Sequence, residues 1–202
     1  MPHLRCLSFY RFFILSLVLL LTACGQDSAP WQTKDMTGYM PNLSFTLTDA
    51  NHNKTVSAED FQGQIVALNF GFTHCPDVCP MALHQMQSAL SKLTESELGQ
   101  VQVLFATVDP KRDGVAEMKA YAESFGDTIG LTGDEATLAA LAKQYKVSVG
   151  FGKPNEQGHY DVSHSIVTYV FDRQGAARLL VRPDNTPDGI ASDLSRLIAE
   201  QS

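Results

Sequence analysis

Two apolar runs on either side of one amphipathic segment constrain the fold of this chain more than any other sequence feature. The runs are residues 65–70, which end at Gly71, and residues 101–108, which end at Asp109. Between them, apolar side chains recur at steps of four and three residues, as on one face of a helix. They are Cys79, Leu83, Met86, Leu90 and Leu93. A buried strand, a helix and a second buried strand predict a βαβ unit with parallel strands.

The segments around this unit extend it into an α/β sheet flanked by helices. Residues 45–48 and 55–56 alternate about a turn at 51–53, which predicts an added N-terminal hairpin. Five further segments complete the pattern: helices at 117–125, 135–145 and 187–199, and a pair of strands at 165–171 and 177–181. The short turn between the last two strands makes them antiparallel, so we expect a central mixed sheet.

The N-terminal region has the pattern of a lipoprotein signal. Arg5 and Arg11 precede the apolar run 12–21, which ends in the lipobox-like Leu-Thr-Ala-Cys at 21–24. The run is shorter than the roughly 20 residues that a membrane-spanning helix needs. We therefore predict a signal peptide at 1–23, lipidation of Cys24, a tether at 24–40 and a folded domain at 41–202. An uncleaved anchor is the alternative, and either one places the domain outside the cytoplasm at a membrane.

The charge balance argues against a nucleic-acid partner. All 22 acidic residues follow Cys24, against 13 lysines and arginines, so this part of the chain has a formal charge near −9. Phosphate binding requires clustered positive charge.

The cysteines point to chemistry in the folded domain. Cys6 lies in the signal and Cys24 is the expected lipid site, so Cys75 and Cys79 are the two that remain. Outside the cytoplasm, two thiols four positions apart either oxidise to a disulfide or hold a metal. A disulfide that closes so small a loop removes little chain entropy, so stabilisation is a poor reason for the pair.

The predicted topology brings a histidine to these cysteines. Ligands of such sheets collect beyond the carboxyl ends of the parallel strands, where the Cys75 loop and Asp109 emerge. His164 directly precedes the strand predicted at 165–171, which runs the opposite way and so begins at the same edge. We therefore expect His164 to lie near Cys75 and Cys79.

The donor set favours copper. Cys75-Pro-Asp-Val-Cys79-Pro80 places Pro80 in the first turn of a helix, and a helix N-terminus favours the cysteine thiolate. Two soft sulfurs and one imidazole suit copper, and three such ligands satisfy Cu(I). Zinc is the competing metal, but a structural zinc site normally has four ligands.

Three segments resemble those of the Sco/SenC family of copper chaperones. They are Gly-Phe-Thr-His-Cys-Pro-Asp-Val-Cys-Pro at 71–80, Thr-Val-Asp-Pro-Lys-Arg-Asp at 107–113 and Tyr-Asp-Val-Ser-His-Ser at 160–165. They occur in the family's order and spacing, and the similarity extends from about residue 41 to the C-terminus. A CxxxC motif alone is a weak signal, whereas the three segments together are specific.

The resemblance implies a thioredoxin-like domain that binds one copper, as Cu(I) and/or Cu(II), through Cys75, Cys79 and His164. Asp109 is a candidate to contact these ligands from outside, although an Asp-Pro pair after a strand is more often simply a turn. The implied partner is the copper-receiving subunit of cytochrome c oxidase, whose dinuclear copper centre the family helps to assemble. The implied location is the periplasmic face of a bacterial membrane. Oxidase assembly favours the inner membrane, although Gly25 is not the Asp retention signal of enteric lipoproteins.

One departure and several other donors bear on this interpretation. Ser163 stands where many family members carry Asp. The loss of that carboxylate would alter the surroundings of the copper and its affinity. His159 is a reserve ligand, His74 could capture copper transiently, and Met81 could offer a thioether.

Two other functions remain open. A thiol-disulfide oxidoreductase would use Cys75 and Cys79 as its redox pair, but residues 161–164 lack the proline that thioredoxins place opposite their dithiol. A peroxidase of the same fold would need a peroxide-binding constellation that the sequence does not contain. Replacing His164 separates the first alternative from copper delivery.

Overall fold

An eight-stranded mixed sheet forms the centre of the computed structural model, which describes residues 29–200. The signal predicted at 1–23 and Cys24 lie outside these residues. The strands are β1 (Lys34–Asp35), β2 (Thr46–Asp49), β3 (Lys54–Ser57), β4 (Ile65–Gly71), β5 (Val101–Thr107), β6 (Ile129–Thr132), β7 (Val149–Phe151), β8 (Val162–His164), β9 (Thr168–Phe171) and β10 (Ala177–Val181). The strand order in the sheet is β1-β10-β9-β4-β5-β6-β2-β3, and β7 and β8 form a separate two-stranded ribbon.

The helices lie between and after the strands. They are α1 (Val78–Leu90), α2 (Glu95–Leu98), α3 (Val115–Glu123), α4 (Glu135–Gln144) and α5 (Pro187–Ala199), with a 3-10 helix at Ala58–Phe61. Helices α1 and α5 pack against each other, and α3 packs on β6. Within residues 29–200, no helix is long and apolar enough to cross a membrane.

The predicted βαβ unit forms the core. All seven residues of β4 are buried, and β4 pairs in parallel with β5 over its full length. Strand β9 is also fully buried and runs antiparallel to β4, and β10 runs antiparallel to β9. The predicted mixed sheet with helices on it and an added N-terminal hairpin is therefore confirmed.

Strand β6, which the sequence pattern did not predict, joins the hairpin to the sheet. It pairs in parallel with β5 and antiparallel with β2. A Cβ atom at Gly130 would lie 2.8 Å from the Met118 carbonyl oxygen, so the close packing of α3 on this strand requires glycine. A four-residue strand that contains glycine gives too weak a periodic signal to be recognised from sequence.

The predicted tether at 24–40 is wrong from Trp31 onward. Strand β1 pairs with β10 at the edge of the sheet, and the Arg196 guanidinium lies 3.7 Å from the centre of the Trp31 ring. Asp193, which is buried in α5, accepts hydrogen bonds from the Gln32 and Thr33 amides and from the Thr33 hydroxyl at 2.7–3.0 Å. Contacts with residues far away in the sequence thus attach this segment to β10 and α5, and no local sequence pattern reveals such contacts.

Replacing Asp193 with alanine is expected to lower the free energy of unfolding by about 2–3 kcal/mol. The substitution leaves buried donors of the N-terminal segment without their charged acceptor. Urea unfolding of this variant and of an Asp188→Ala control measures the effect, because Asp188 is an exposed aspartate of the same helix. Equal stability of the two variants would contradict an anchoring role for Asp193.

Candidate metal centre

The two cysteines lie where β4 ends and α1 begins. Cys75 is in the connecting loop, where its amide donates to the Phe72 carbonyl, and Cys79 is the second residue of α1. Cys75 is 8% exposed and Cys79 is 1% exposed. A Cβ atom at Gly71 would lie 2.8 Å from the Cys79 sulfur, so glycine at the end of β4 gives this sulfur its space. The sulfurs thus lie at the carboxyl edge of the parallel strands.

His164 reaches the same edge from the ribbon rather than from the central sheet. It is the last residue of β8, and its register partner in β7 is Val149. The strand predicted at 165–171 begins only at Thr168, so the prediction that His164 directly precedes a strand of the sheet is wrong in this detail. The expectation that the topology brings His164 to the cysteines is correct.

The three side chains form one compact group of donor atoms. Their two sulfurs and one ring nitrogen all lie within 4.8 Å of one another. The Cys79 sulfur is 3.1 Å from Nε2 of His164, and the Cys79 amide donates to the Cys75 sulfur at 3.4 Å. Nδ1 of His164 lies 2.9 Å from the Ser165 carbonyl oxygen. Because a carbonyl only accepts, Nδ1 carries the proton and the Nε2 lone pair faces the sulfurs.

Burial favours the neutral forms of Cys79 and His164. It raises the pKa of the Cys79 thiol, and the hydrogen bond with Cys75 adds to this effect. The predicted preference for a thiolate at the helix N-terminus is therefore wrong for Cys79, because desolvation outweighs the helix dipole. Burial also lowers the pKa of His164, which keeps the imidazole neutral at neutral pH. A metal that binds here must displace the Cys79 proton, but it meets a neutral imidazole whose Nε2 is already free of a proton.

This arrangement suits a soft metal with low coordination number. Two thiols and an imidazole offer three donors, the number that satisfies Cu(I). Among residues 29–200, no histidine, cysteine, aspartate or glutamate adds a fourth donor to the group. A structural zinc ion would normally require that fourth ligand.

Asp113 fixes the loop that carries Cys75. Its carboxylate is fully buried and accepts hydrogen bonds from the Thr73 amide at 3.0 Å, the Thr73 hydroxyl at 2.6 Å and the Thr107 hydroxyl at 2.6 Å. It therefore ties the segment after β4 to the end of β5. Nothing in the sequence pointed to Asp113 except its place at the end of the 107–113 segment.

Asp109 lies beside the group without a hydrogen bond to it. Its carboxylate accepts from Arg112 Nε at 2.5 Å and from the Tyr160 hydroxyl at 2.8 Å. The Arg112 guanidinium lies between two rings, 4.1 Å from the centre of Tyr160 and 5.5 Å from that of Phe72. Phe72 in turn meets the His164 ring edge-on at 6.0 Å. The role predicted for Asp109 beside the ligands stays a prediction, and its side chain is linked to His164 only through Arg112 and Phe72.

The other candidate donors lie outside the group. Nδ1 of His74 lies 3.0 Å from the Thr73 hydroxyl, and about half of its side chain is exposed. His159 is exposed in the loop between β7 and β8, and Met81 is 48% exposed on α1. Ser163 is exposed, and its position in β8 next to His164 places the two side chains on opposite faces of the ribbon.

Comparison with known proteins identifies similar chains. The SCO1/SenC family model matches residues 35–199. The mitochondrial SCO2 homolog of Mus musculus is 37% identical over 157 residues, which is 77% of this chain and 61% of the mouse protein. The chain thus spans less than two thirds of the length of this relative.

Solved structures with the same fold cover almost all of the domain. Copper-bound ScoI of Bradyrhizobium japonicum is 34% identical with a TM-score of 0.70, and the match covers 77% of this chain and 98% of ScoI. A SCO1/SenC family lipoprotein from Bacillus anthracis is 26% identical with a TM-score of 0.65, covering 81% and 97%. BsSco, described as having a disulfide switch and as a member of the Sco family of cytochrome c oxidase assembly proteins, is 25% identical with a TM-score of 0.65, covering 84% and 98%. The fold is therefore thioredoxin-like, as the resemblance implied.

Proposed function

Since this chain belongs to the SCO1/SenC family, we propose that it is a copper chaperone for the dinuclear copper centre of cytochrome c oxidase. Cys75, Cys79 and His164 hold the metal. The observation that carries the proposal is the convergence of their three donor atoms within 4.8 Å of one another. The copper-bound ScoI and the oxidase-assembly protein BsSco, both similar to this chain over nearly their whole length, support it.

The bound metal is one copper per chain, carried as Cu(I). Two sulfurs and one nitrogen satisfy Cu(I) without a further ligand, whereas Cu(II) prefers four or more donors in a tetragonal arrangement. The two thiols must be reduced to bind it, so a disulfide between Cys75 and Cys79 excludes the metal. In this structure both cysteines are free thiols.

A thiol-disulfide oxidoreductase is the second candidate, and the disulfide switch of BsSco favours some redox activity. The environment of Cys79 makes this thiol a poor attacking group, because its raised pKa leaves it little thiolate at neutral pH. Copper binding overcomes the same pKa by replacing the proton with a metal of high affinity for sulfur.

An anaerobic titration with Cu(I) tests the proposed function. The reduced protein, without residues 1–24, is expected to take up one equivalent of copper and the oxidised protein none, with the copper measured after gel filtration. Delivery is measured as transfer from the loaded protein to the apo form of a soluble dinuclear-copper domain. Uptake by oxidised and reduced protein alike would contradict a site made of the two thiols.

The protein is placed at the membrane by its N-terminus. Residues 1–23 form a signal peptide, Cys24 is lipidated, and the domain faces the periplasm, as the lipobox-like sequence at 21–24 and the Bacillus anthracis lipoprotein support. A Cys24→Ser variant is expected to lose the lipid mass and to leave the detergent phase. Unchanged mass and partitioning would contradict lipidation, and Cys6→Ser is the matched control because this cysteine lies within the signal.

A further inference from the structure

A lysine-rimmed apolar groove lies beside the ribbon. Its larger part has a volume of about 440 Å³ and runs between α4 and the residues that lead into β7, and a smaller part of about 200 Å³ adjoins it. Phe151, Pro110 and Glu135 line both parts, so the two are continuous. Phe151 lies at the junction with 54% of its surface exposed. An exposed aromatic beside a concave apolar surface is typical of a protein-binding site.

The charge around the groove is opposite to that of the rest of the domain. The residues after Cys24 have a formal charge near −9, yet the groove is lined by three lysines, Lys111, Lys143 and Lys146, against the two carboxylates of Asp109 and Glu135. Lys111 forms an ion pair with Glu135 at 3.2 Å. Lys143 and Lys146 are exposed and have no ion pair among the residues that the structure describes. The groove thus presents positive charge to a partner on an otherwise acidic surface.

The groove is connected to the candidate metal centre by the ribbon and by packed rings. Val149, which lines the groove, is the register partner of His164. The Phe151 ring is 6.1 Å from that of Tyr160, and Tyr160 packs on Arg112. A protein bound in the groove therefore contacts the element that supplies the third ligand.

We propose that this groove docks the protein that receives the copper, through an acidic segment of that protein with an apolar anchor. The anchor packs against Phe151, and carboxylates next to it pair with Lys143 and Lys146. Such complementarity speeds encounter and fixes orientation more than it adds affinity. The proposal rests on the function proposed above and adds to it the surface and the chemistry of recognition.

Charge reversal in the groove tests the proposal. The Lys143→Glu/Lys146→Glu protein is compared with wild type and with Lys34→Glu/Lys54→Glu, which makes the same change in charge at exposed residues of the two outermost strands, β1 and β3. Each protein is loaded with Cu(I). Transfer is then timed to the apo dinuclear-copper domain of an oxidase subunit and, separately, to the uncharged chelator neocuproine.

The groove variant is expected to transfer copper to the domain about tenfold more slowly at low salt, with a smaller deficit at high salt. Its transfer to neocuproine is expected to match wild type, and the control variant is expected to match wild type with both acceptors. If the groove variant transfers copper to the domain as fast as wild type, the docking proposal is overturned while the proposed function stands. The same holds if the control variant slows transfer to the domain as much as the groove variant does. Failure of wild type to load copper or to transfer it to the domain would overturn the proposed function as well.

Discussion

A protein in which His164 is replaced by alanine is expected to bind Cu(I) more than 100-fold more weakly while remaining folded. The substitution removes one of three donors, and even changes to groups around a metal ligand typically cost roughly 10- to 100-fold. His164 is only partly buried at the end of a ribbon outside the central sheet, so its loss leaves the core intact. Competition with a Cu(I) chelator under anaerobic conditions measures the affinity, and circular dichroism checks the fold.

The same variant separates the two candidate functions. A chaperone loses tight copper binding without His164, whereas a dithiol reductase keeps most of its activity because Cys75 and Cys79 remain. His159→Ala is the matched control, since His159 is an exposed histidine of the preceding loop and lies outside the donor group. Equal copper affinity in the His164→Ala, His159→Ala and wild-type proteins would show that His164 is not a ligand.

Replacing Asp113 with alanine is expected to lower the free energy of unfolding by about 3 kcal/mol. The fully buried carboxylate accepts two hydrogen bonds from the part-buried Thr73 and one from the buried Thr107, and its removal leaves these donors without their charged acceptor. Because Thr73 lies two residues before Cys75, the variant is also expected to hold copper more weakly. Urea unfolding and the chelator competition measure the two effects.

Asp161→Ala is the matched control for Asp113. Asp161 is exposed three residues before His164, so the control removes a carboxylate near the site without removing a buried hydrogen-bond acceptor. Its stability is expected to stay within about 0.5 kcal/mol of wild type, as for most surface substitutions. Similar stability of the two variants would mean that the Asp113 hydrogen bonds contribute little to the fold.

The sequence was sufficient to predict the elements that bury long apolar faces. The strands Ile65–Gly71 and Val101–Thr107 and the helices Val78–Leu90 and Pro187–Ala199 match their predicted positions within a few residues. Their period is clear because each is buried along its whole length or along one continuous stripe. The convergence of both cysteines and His164 followed from the direction of the strands at one edge of the sheet.

What the sequence did not predict depends on contacts between distant residues. Strand Lys34–Asp35 is two residues long and exposed, so only its pairing with the edge of the sheet and the contacts of Asp193 place it. The ribbon of Val149–Phe151 and Val162–His164 has three residues on each side. The raised pKa of Cys79 arises from desolvation by the packed core, which a motif does not encode.

The separation of the ribbon from the central sheet has a consequence for how long a metal stays bound. Of the three proposed ligands, Cys75 and Cys79 are buried at the end of the central sheet, whereas His164 belongs to a small unit with its own backbone pairing. Lifting that unit would lower the coordination number of a bound copper from three to two, and it requires only local opening, which costs far less free energy than unfolding the domain. For copper held as proposed, the residence time would therefore be set by the motion of six paired residues, and a bound acceptor would shorten it without disturbing the interior.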